Sequence, residues 1–340
     1  MSRSLGSFNS TLKRKIITLM VNLIKSKPKI LKQYTNIFNR IYNEQSFSNM
    51  VEHEAMLADR ARVEFYYAAI SRFVKPGDTV LELGTGLGIL SFFAAQQGAK
   101  KIYAIDHSDI VSAAKKVAEY NQINNIEFLK VHSKQLTLDT PVDVIIQEQM
   151  GNFLFNEHMV ENVCDLRDRF LVKGGIIIPS RFEFFIEPVK INDLSYVPYI
   201  REQKIHNIDF SCLKEASSGF RYNSVMLNQP WSFDFFLSRP ESIYDFDLHT
   251  INPTDIPNEF TFSKKVARGG RLDGFIVYFR CLLDDDIVIT TAPEESRASN
   301  WKYFLLRVES DIVEKGQEIN FELKAENINV PQTWRWSHSL

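Results

Sequence analysis

The run Glu82-Leu83-Gly84-Thr85-Gly86-Leu87-Gly88 combines residue types and spacing that can hold a reactive ligand. It follows a short apolar stretch, 79–83, and precedes a helical one through Phe92, Phe93, Ala94 and Ala95. Glycine takes left-handed angles and lets a ligand approach the main chain closely. Between a strand and a helix, such a turn lies at the carboxyl end of a parallel strand, where ligands of open α/β sheets bind. The spacing is Gly-x-Gly-x-Gly, not the Gly-x-Gly-x-x-Gly that seats a dinucleotide pyrophosphate on a helix N-terminus. That argues against a nicotinamide-dependent oxidoreductase. Glu82, just before the first glycine, calls for a ligand with a positive, hydrogen-bonding end. Asp106 closes the next strand, where an acid accepts both hydroxyls of a ribose. A nucleoside carrying an amino-acid tail meets both demands. S-adenosylmethionine is therefore the expected cofactor, held by Glu82, Gly84, Gly86, Gly88 and Asp106.

These residues need a sheet to position them. Apolar runs at 79–83, 101–105, 126–131 and 142–146 read as strands, and 109–122 and 157–170 as helices. Lys173-Gly174-Gly175 reads as a turn into a strand at 176–178, and 47–73 as one helical stretch stopped by Lys75-Pro76-Gly77. Strands alternating with helices predict a doubly wound parallel sheet, a Rossmann-like domain over 44–179. After Pro179 the helical rhythm stops. Alternating runs at 182–188, 274–283, 287–290, 303–308 and 319–323 predict an antiparallel β-barrel or sandwich over 180–340, with an inserted arm at about 191–221. Residues 10–42 carry apolar positions at helical spacing, broken at Pro28, and 1–43 read as a basic helical extension.

The chain has 340 residues, 44% hydrophobic and 24% charged, which fits two or more globular domains and excludes a disordered chain. Net charge is −2, which gives no sign of a nucleic-acid partner. The balance is uneven: 1–43 holds nine Lys or Arg and no acid, leaving 31 of the 40 bases against all 42 acids elsewhere. The basic arm is expected to pack on the body or dock an acidic surface. Three separated cysteines, Cys164, Cys212 and Cys281, favour a reducing compartment. No apolar run reaches the roughly 20 residues of a membrane span, and a cytoplasmic protein is expected. The histidines lack metal-ligand spacing. Asp284-Asp285-Asp286 reads as a solvated acidic turn, and Trp334-Arg335-Trp336 as an anchor of the C-terminal segment.

Further motifs carry a family resemblance. Residues 80–91 resemble the first motif of protein arginine methyltransferases. Gln147-Glu148-Gln149-Met150-Gly151, then Leu154 and Asn156-Glu157-His158-Met159, resemble that family's double-glutamate loop. His53-Glu54-Ala55-Met56-Leu57-Ala58-Asp59 and Arg62 resemble its cofactor-covering helix. Ile208-Asp209-Phe210-Ser211-Cys212 resembles part of its dimerisation arm, and 291–295 with Ser299-Asn300-Trp301-Lys302 its threonine-histidine-tryptophan loop. The resemblance implies a nucleotide-binding domain, a β-barrel, a helical dimerisation arm and a homodimer. It implies that Arg62 grips the cofactor carboxylate, that Met56 and Gln135 also meet the cofactor, and that Glu148 and Glu157 hold a guanidinium. Met150, Met159 and Trp301 would line the acceptor.

Physical chemistry agrees with two glutamates there. A guanidinium is planar and permanently charged, with a fork of donors that carboxylates match. Its delocalised lone pairs make it a poor nucleophile. Two carboxylates on one side would draw positive charge away from the reacting nitrogen and orient it. The departures are Gln147 and Gln149 for serine and tryptophan, and Asn300 for histidine, which removes the usual partner of Asp59. Asn43, Glu44 and Phe47 stand where the family has tyrosine, phenylalanine and tyrosine, and Gln135 replaces the acid expected at the adenine. They motivate two alternatives, a methyltransferase for another small amine and a non-catalytic scaffold. The guanidino acceptor, as free arginine, peptide or protein, is the leading expectation.

Overall fold

The computed structural model describes residues 50–155, 157–192, 204–213, 224–227, 233–284, 286–295 and 298–340. The basic extension, the departures at 43, 44 and 47, and most of the segment at 191–221 lie outside them. The chain forms two compact units, Met1–Glu52 and His53–Leu340. Apart from the first residues of α1, every element below lies in the second.

Helices α1 (Met50–Ala58) and α2 (Arg60–Phe73) stand where one helix is expected. Asp59 divides them: its backbone leaves helical angles and its Oδ1 accepts from the Arg62 amide at 3.4 Å. An aspartate N-cap satisfies one of the helix's orphan donors, a signal that apolar spacing does not carry.

Strands β1 (Thr79–Leu83), β2 (Lys101–Asp106), β3 (Ile126–Lys130), β4 (Val142–Gln147) and β5 (Leu171–Ile178) form one parallel sheet in the order β3-β2-β1-β4-β5. Helices α3 (Ile89–Gln96), α4 (Val111–Tyr120) and α5 (Met159–Phe170) alternate with them. The central strands are buried on both faces, and Val80, Leu81, Ile145 and Ile146 are wholly enclosed. That is why they read as unbroken apolar runs. The predicted turn at Lys173-Gly174-Gly175 is instead inside β5. The register shifts there against β4, and Gly174 takes a φ of 81°, so the glycines form an irregularity within a strand.

The remaining strands are β6 (Arg181–Ile191), β7 (Lys204–Ile205), β8 (Ile208–Asp209), β9 (Ser224–Leu227), β10 (Phe233–Phe236), β11 (Tyr244–Asp247), β12 (Glu259–Lys265), β13 (Gly270–Leu282), β14 (Val288–Thr290), β15 (Tyr303–Val313), β16 (Glu318–Lys324) and β17 (Arg335–Ser339). Among the described residues they form two antiparallel sheets and a small hairpin rather than one closed barrel. The larger sheet runs β10-β6-β13-β15-β9, with β11 on β6 and β14 on β13; the smaller is β12-β16-β17. Alternation sorts the large sheet's faces. Phe184, Ile186, Phe275, Val277 and Phe279 join the main core, while Phe185, Val189, Ile276 and Tyr278 form a second cluster. Within 191–221 the described pieces are the β7–β8 hairpin and a single 3-10 turn, Ser211–Leu213. No helix is described in the predicted arm.

The two lobes of the second unit are tied together by side-chain contacts. Arg72 of α2 pairs with Asp284 at 2.9 Å and Asp286 at 3.6 Å, so this acidic turn is an inter-lobe contact and not merely solvated. The Trp334 indole, fully buried, packs 5.3 Å from the Phe153 ring and donates to the Ile328 carbonyl, anchoring the C-terminal segment.

Candidate active site

The strand order reverses between β1 and β4, the place where open α/β sheets bind ligands. Leu83 of β1 faces Gln147 of β4 in register, so the glycine turn and Glu148 leave the sheet side by side. Gly84, Gly86 and Gly88 all take positive φ, at 76°, 51° and 90°. A Cβ on Gly86 would lie 2.9 Å from the His53 ring of α1. A Cβ on Gly84 would meet only the Gln149 Nε2 atom, at 3.7 Å, so main chain is presented there with room above it.

Two buried acids hold the turn. Glu82 Oε2 accepts from Thr85 Oγ1 at 2.7 Å, from the Ser91 amide at 3.0 Å and from the Ser91 hydroxyl. Burial pushes this carboxyl up to about 7, against the pull of the Ser91 and Thr85 hydrogen bonds. Asp106, at the end of β2, accepts from the Gly86 amide at 3.0 Å and from the Ser108 amide and hydroxyl at 2.8 Å. The turn and the end of β2 are thereby locked together.

Glu148 follows β4. Its Oε2 lies 3.5 Å from Arg62 Nη1, and the Trp301 side chain hydrogen-bonds to it. The Arg62 guanidinium also stands 5.6 Å from the Trp301 ring centroid. Burial raises the Glu148 pKa while Arg62 and Trp301 hold it down. Glu157 is pushed up to about 8, first by burial and then by the Glu148 charge, with Arg62 opposing. The two carboxyls and one guanidinium therefore share an electrostatic environment.

The loop that returns Glu157 to this cluster is tightly bent. Gly151, Leu154 and His158 have φ of 54°, 70° and 57°. Leu154 is wholly buried, and a left-handed leucine costs about 1–3 kcal/mol that the surrounding packing must sustain. Tyr66 of α2 braces the loop's start, donating to the Gln147 carbonyl at 2.9 Å with its hydroxyl 3.9 Å from the Met150 sulfur. Asp59 Oδ2 accepts from the Asn300 amide at 2.9 Å. A backbone donor meets Asp59 where the resemblance expects a histidine.

Of the predicted site residues, the structure gathers Arg62, Glu148, Glu157 and Trp301 in one cluster, and Glu82, Gly84, Gly86, Gly88 and Asp106 around the turn. Met56 is half-buried on α1. Gln135 is exposed on the 3-10 turn Ser133–Gln135 after β3. Met150 and Met159 are wholly buried members of the main core. Sequence reasoning did not assign Tyr66, Asn162 or the contact of His53 with Gly86. Tyr66 follows Arg62 by four residues, on the same helix face, a spacing that signals a shared target.

Comparison with known proteins agrees with this architecture. Residues 65–181 match the profile of the ribosomal protein L11 methyltransferase family, and 185–333 that of the arginine methyltransferase oligomerization subdomain. Protein arginine N-methyltransferase 6 of Danio rerio is 31% identical over 290 residues, spanning 82% of this chain and 81% of its own. Protein arginine N-methyltransferase 1 of Dictyostelium discoideum is 29% identical over 286 residues, covering 82% of each. Among solved structures, the Trypanosoma brucei PRMT1 enzyme-prozyme heterotetrameric complex with AdoHcy superposes with a TM-score of 0.76 at 22% identity, covering 87% of this chain and 95% of that one. Arabidopsis thaliana protein arginine methyltransferase 10 gives 0.69 at 26%, covering 83% and 91%. Fold and relatives together define an S-adenosylmethionine-dependent methyltransferase. Within that class, the chain belongs to the protein arginine N-methyltransferase family.

Proposed function

We propose that this protein methylates a guanidino nitrogen of arginine, free or within a peptide or protein, and that Glu148 and Glu157 hold that guanidinium. The observation that carries the reading is the pair of carboxyls beside the glycine turn, both raised by burial and both facing Arg62, with Glu157 raised further by the Glu148 charge. The open main chain over Gly84 and the acids Glu82 and Asp106 fit a cofactor with an amino-acid tail and a ribose. When bound, S-adenosylmethionine supplies an electrophilic methyl group on a sulfonium. Glu82, Gly84, Gly86, Gly88 and Asp106 would hold it, with Arg62 and Met56 covering it.

The chain's own contribution is charge and orientation. Glu148, kept ionisable by Arg62 and Trp301, accepts from one edge of the guanidinium. Glu157 keeps its proton at neutral pH until a cation arrives, because its pKa lies near 8. A docked guanidinium favours the charged form, so acceptor binding releases that proton. Two carboxylates then bias the positive charge toward themselves and leave the remaining nitrogen more nucleophilic. A homodimer is proposed on the match of 185–333 to the oligomerization subdomain. The alternatives motivated by Gln147, Gln149 and Asn300, another amine acceptor or a scaffold, gain no support from the relatives.

The test is mass spectrometry with methyl-labelled cofactor and a panel of free arginine, arginine peptides and cell extract. Label on a guanidino nitrogen is expected. Label confined to other amines, or none at all, would overturn the reading.

A further inference from the structure

Glu148 and Glu157 sit at opposite ends of a bent loop, and something must fix the gap between them. The side chain of Asn162, in the first turns of α5, reaches both ends. Its Nδ2 donates to Gln149 Oε1 at 3.2 Å and to the Glu157 carbonyl oxygen at 3.4 Å. A primary amide nitrogen carries two hydrogens, so both bonds form at once. Gln149 adjoins Glu148 in sequence, and its amide donates to Gln147 Oε1 at 2.9 Å. Gln147 is wholly buried, and its carbonyl accepts from Tyr66. A continuous chain of bonds thus runs from α2 through Tyr66, Gln147, Gln149 and Asn162 to the Glu157 backbone. Asn162 itself is set by α5, where its amide donates to the His158 carbonyl at 3.0 Å.

We propose that Asn162 is a positioning residue that sets the spacing of Glu148 and Glu157 by clasping Gln149 to the Glu157 main chain. This rests on the guanidinium-binding reading of the two glutamates. The clasp uses two amide side chains, Gln149 and Asn162, that no motif of the sequence marked for this role. It works through geometry alone, since neither amide ionises. Reacting groups displaced by about 1 Å lose on the order of a hundredfold in rate.

The test compares Asn162→Asp and Asn162→Ala with the unaltered full-length protein. Aspartate keeps the volume but turns the donor into an acceptor facing two acceptors. Turnover of an arginine peptide should fall roughly 10- to 100-fold in both, with cofactor affinity unchanged. Combining Gln149→Ala with Asn162→Ala should cost little more than either alone, because both break one link. A second readout needs no turnover: the Glu157 carboxyl, followed by carbon NMR against Glu157→Gln, should titrate at lower pH in Asn162→Ala as Glu148 moves off and water enters. Should the unaltered protein methylate no guanidino substrate, the function falls and this titration still decides the clasp. Unchanged titration, or turnover in both variants equal to that of the unaltered protein, would overturn the proposal.

Discussion

Replacing Glu157 by glutamine removes a carboxyl that is costly to ionise where it lies. In the folded chain its pKa rises from 4.5 to about 8. Well below pH 4.5 the group is protonated in folded and unfolded chains alike. As pH rises, the unfolded chain gives up the proton first and the folded chain holds it until about 8, so stability is lost across that window and no further above it. At roughly 1.36 kcal/mol per pH unit, the interval from 4.5 to about 8 sets a ceiling of about 5 kcal/mol. Glu157→Gln should therefore gain several kcal/mol of stability over the unaltered protein, at most about 5, accumulated between about pH 4.5 and about 8. Urea unfolding at a series of pH values measures it. Glu82 also titrates abnormally, but it is present in both proteins and cancels in the difference. An advantage that stays flat or shrinks with rising pH would refute the placement of Glu157.

Gly86→Ala puts a Cβ against His53 at a φ of 51°, so it should lower stability by about 1–3 kcal/mol and weaken S-adenosylmethionine binding in calorimetry. Unchanged stability would contradict the close approach of α1 to the turn. Asp106→Ala should weaken the cofactor by about 10- to 100-fold, the size of one hydrogen bond to a charged group. Unaltered affinity would count against a ribose-binding role. In the antiparallel lobe, Lys264 and Glu187 form a buried ion pair at 2.8 Å. Lys264→Met should cost about 3–5 kcal/mol by stranding the glutamate, and adding Glu187→Gln should restore part of it. A double variant no more stable than the single would contradict this.

The parallel sheet was readable because fully buried strands are unbroken apolar runs with glycine turns between them, as in 79–88 and 142–146. The break at Asp59 was not, since capping depends on one side chain whose acceptor role competes with an apolar rhythm that continues across it. Gly174 and Gly175 misled because glycine marks a turn and a strand irregularity equally well. In the antiparallel lobe the sequence marked β6, β13, β14, β15 and β16 but not Glu259–Lys265. Tyr244–Asp247 and Arg335–Ser339 are short, and their pairing depends on partners far along the chain. Glu82 and Asp106 stand out in the sequence because each closes or nearly closes a strand, and both are buried beside the glycine turn. The contact between His53 and Gly86, the Tyr66 brace and the Asn162 link do not. Each depends on how α1, α2 and α5 converge on the β4 loop, which no local pattern encodes.

The central claim is that Glu148 acts on the acceptor and not on the cofactor. Glu148→Gln keeps the side chain's shape while removing the charge that faces Arg62. The account predicts that calorimetry will show S-adenosylmethionine binding within about threefold of the unaltered protein while methyl transfer to an arginine peptide falls by about 100-fold or more. Retained turnover, or loss of cofactor binding in step with turnover, would contradict it.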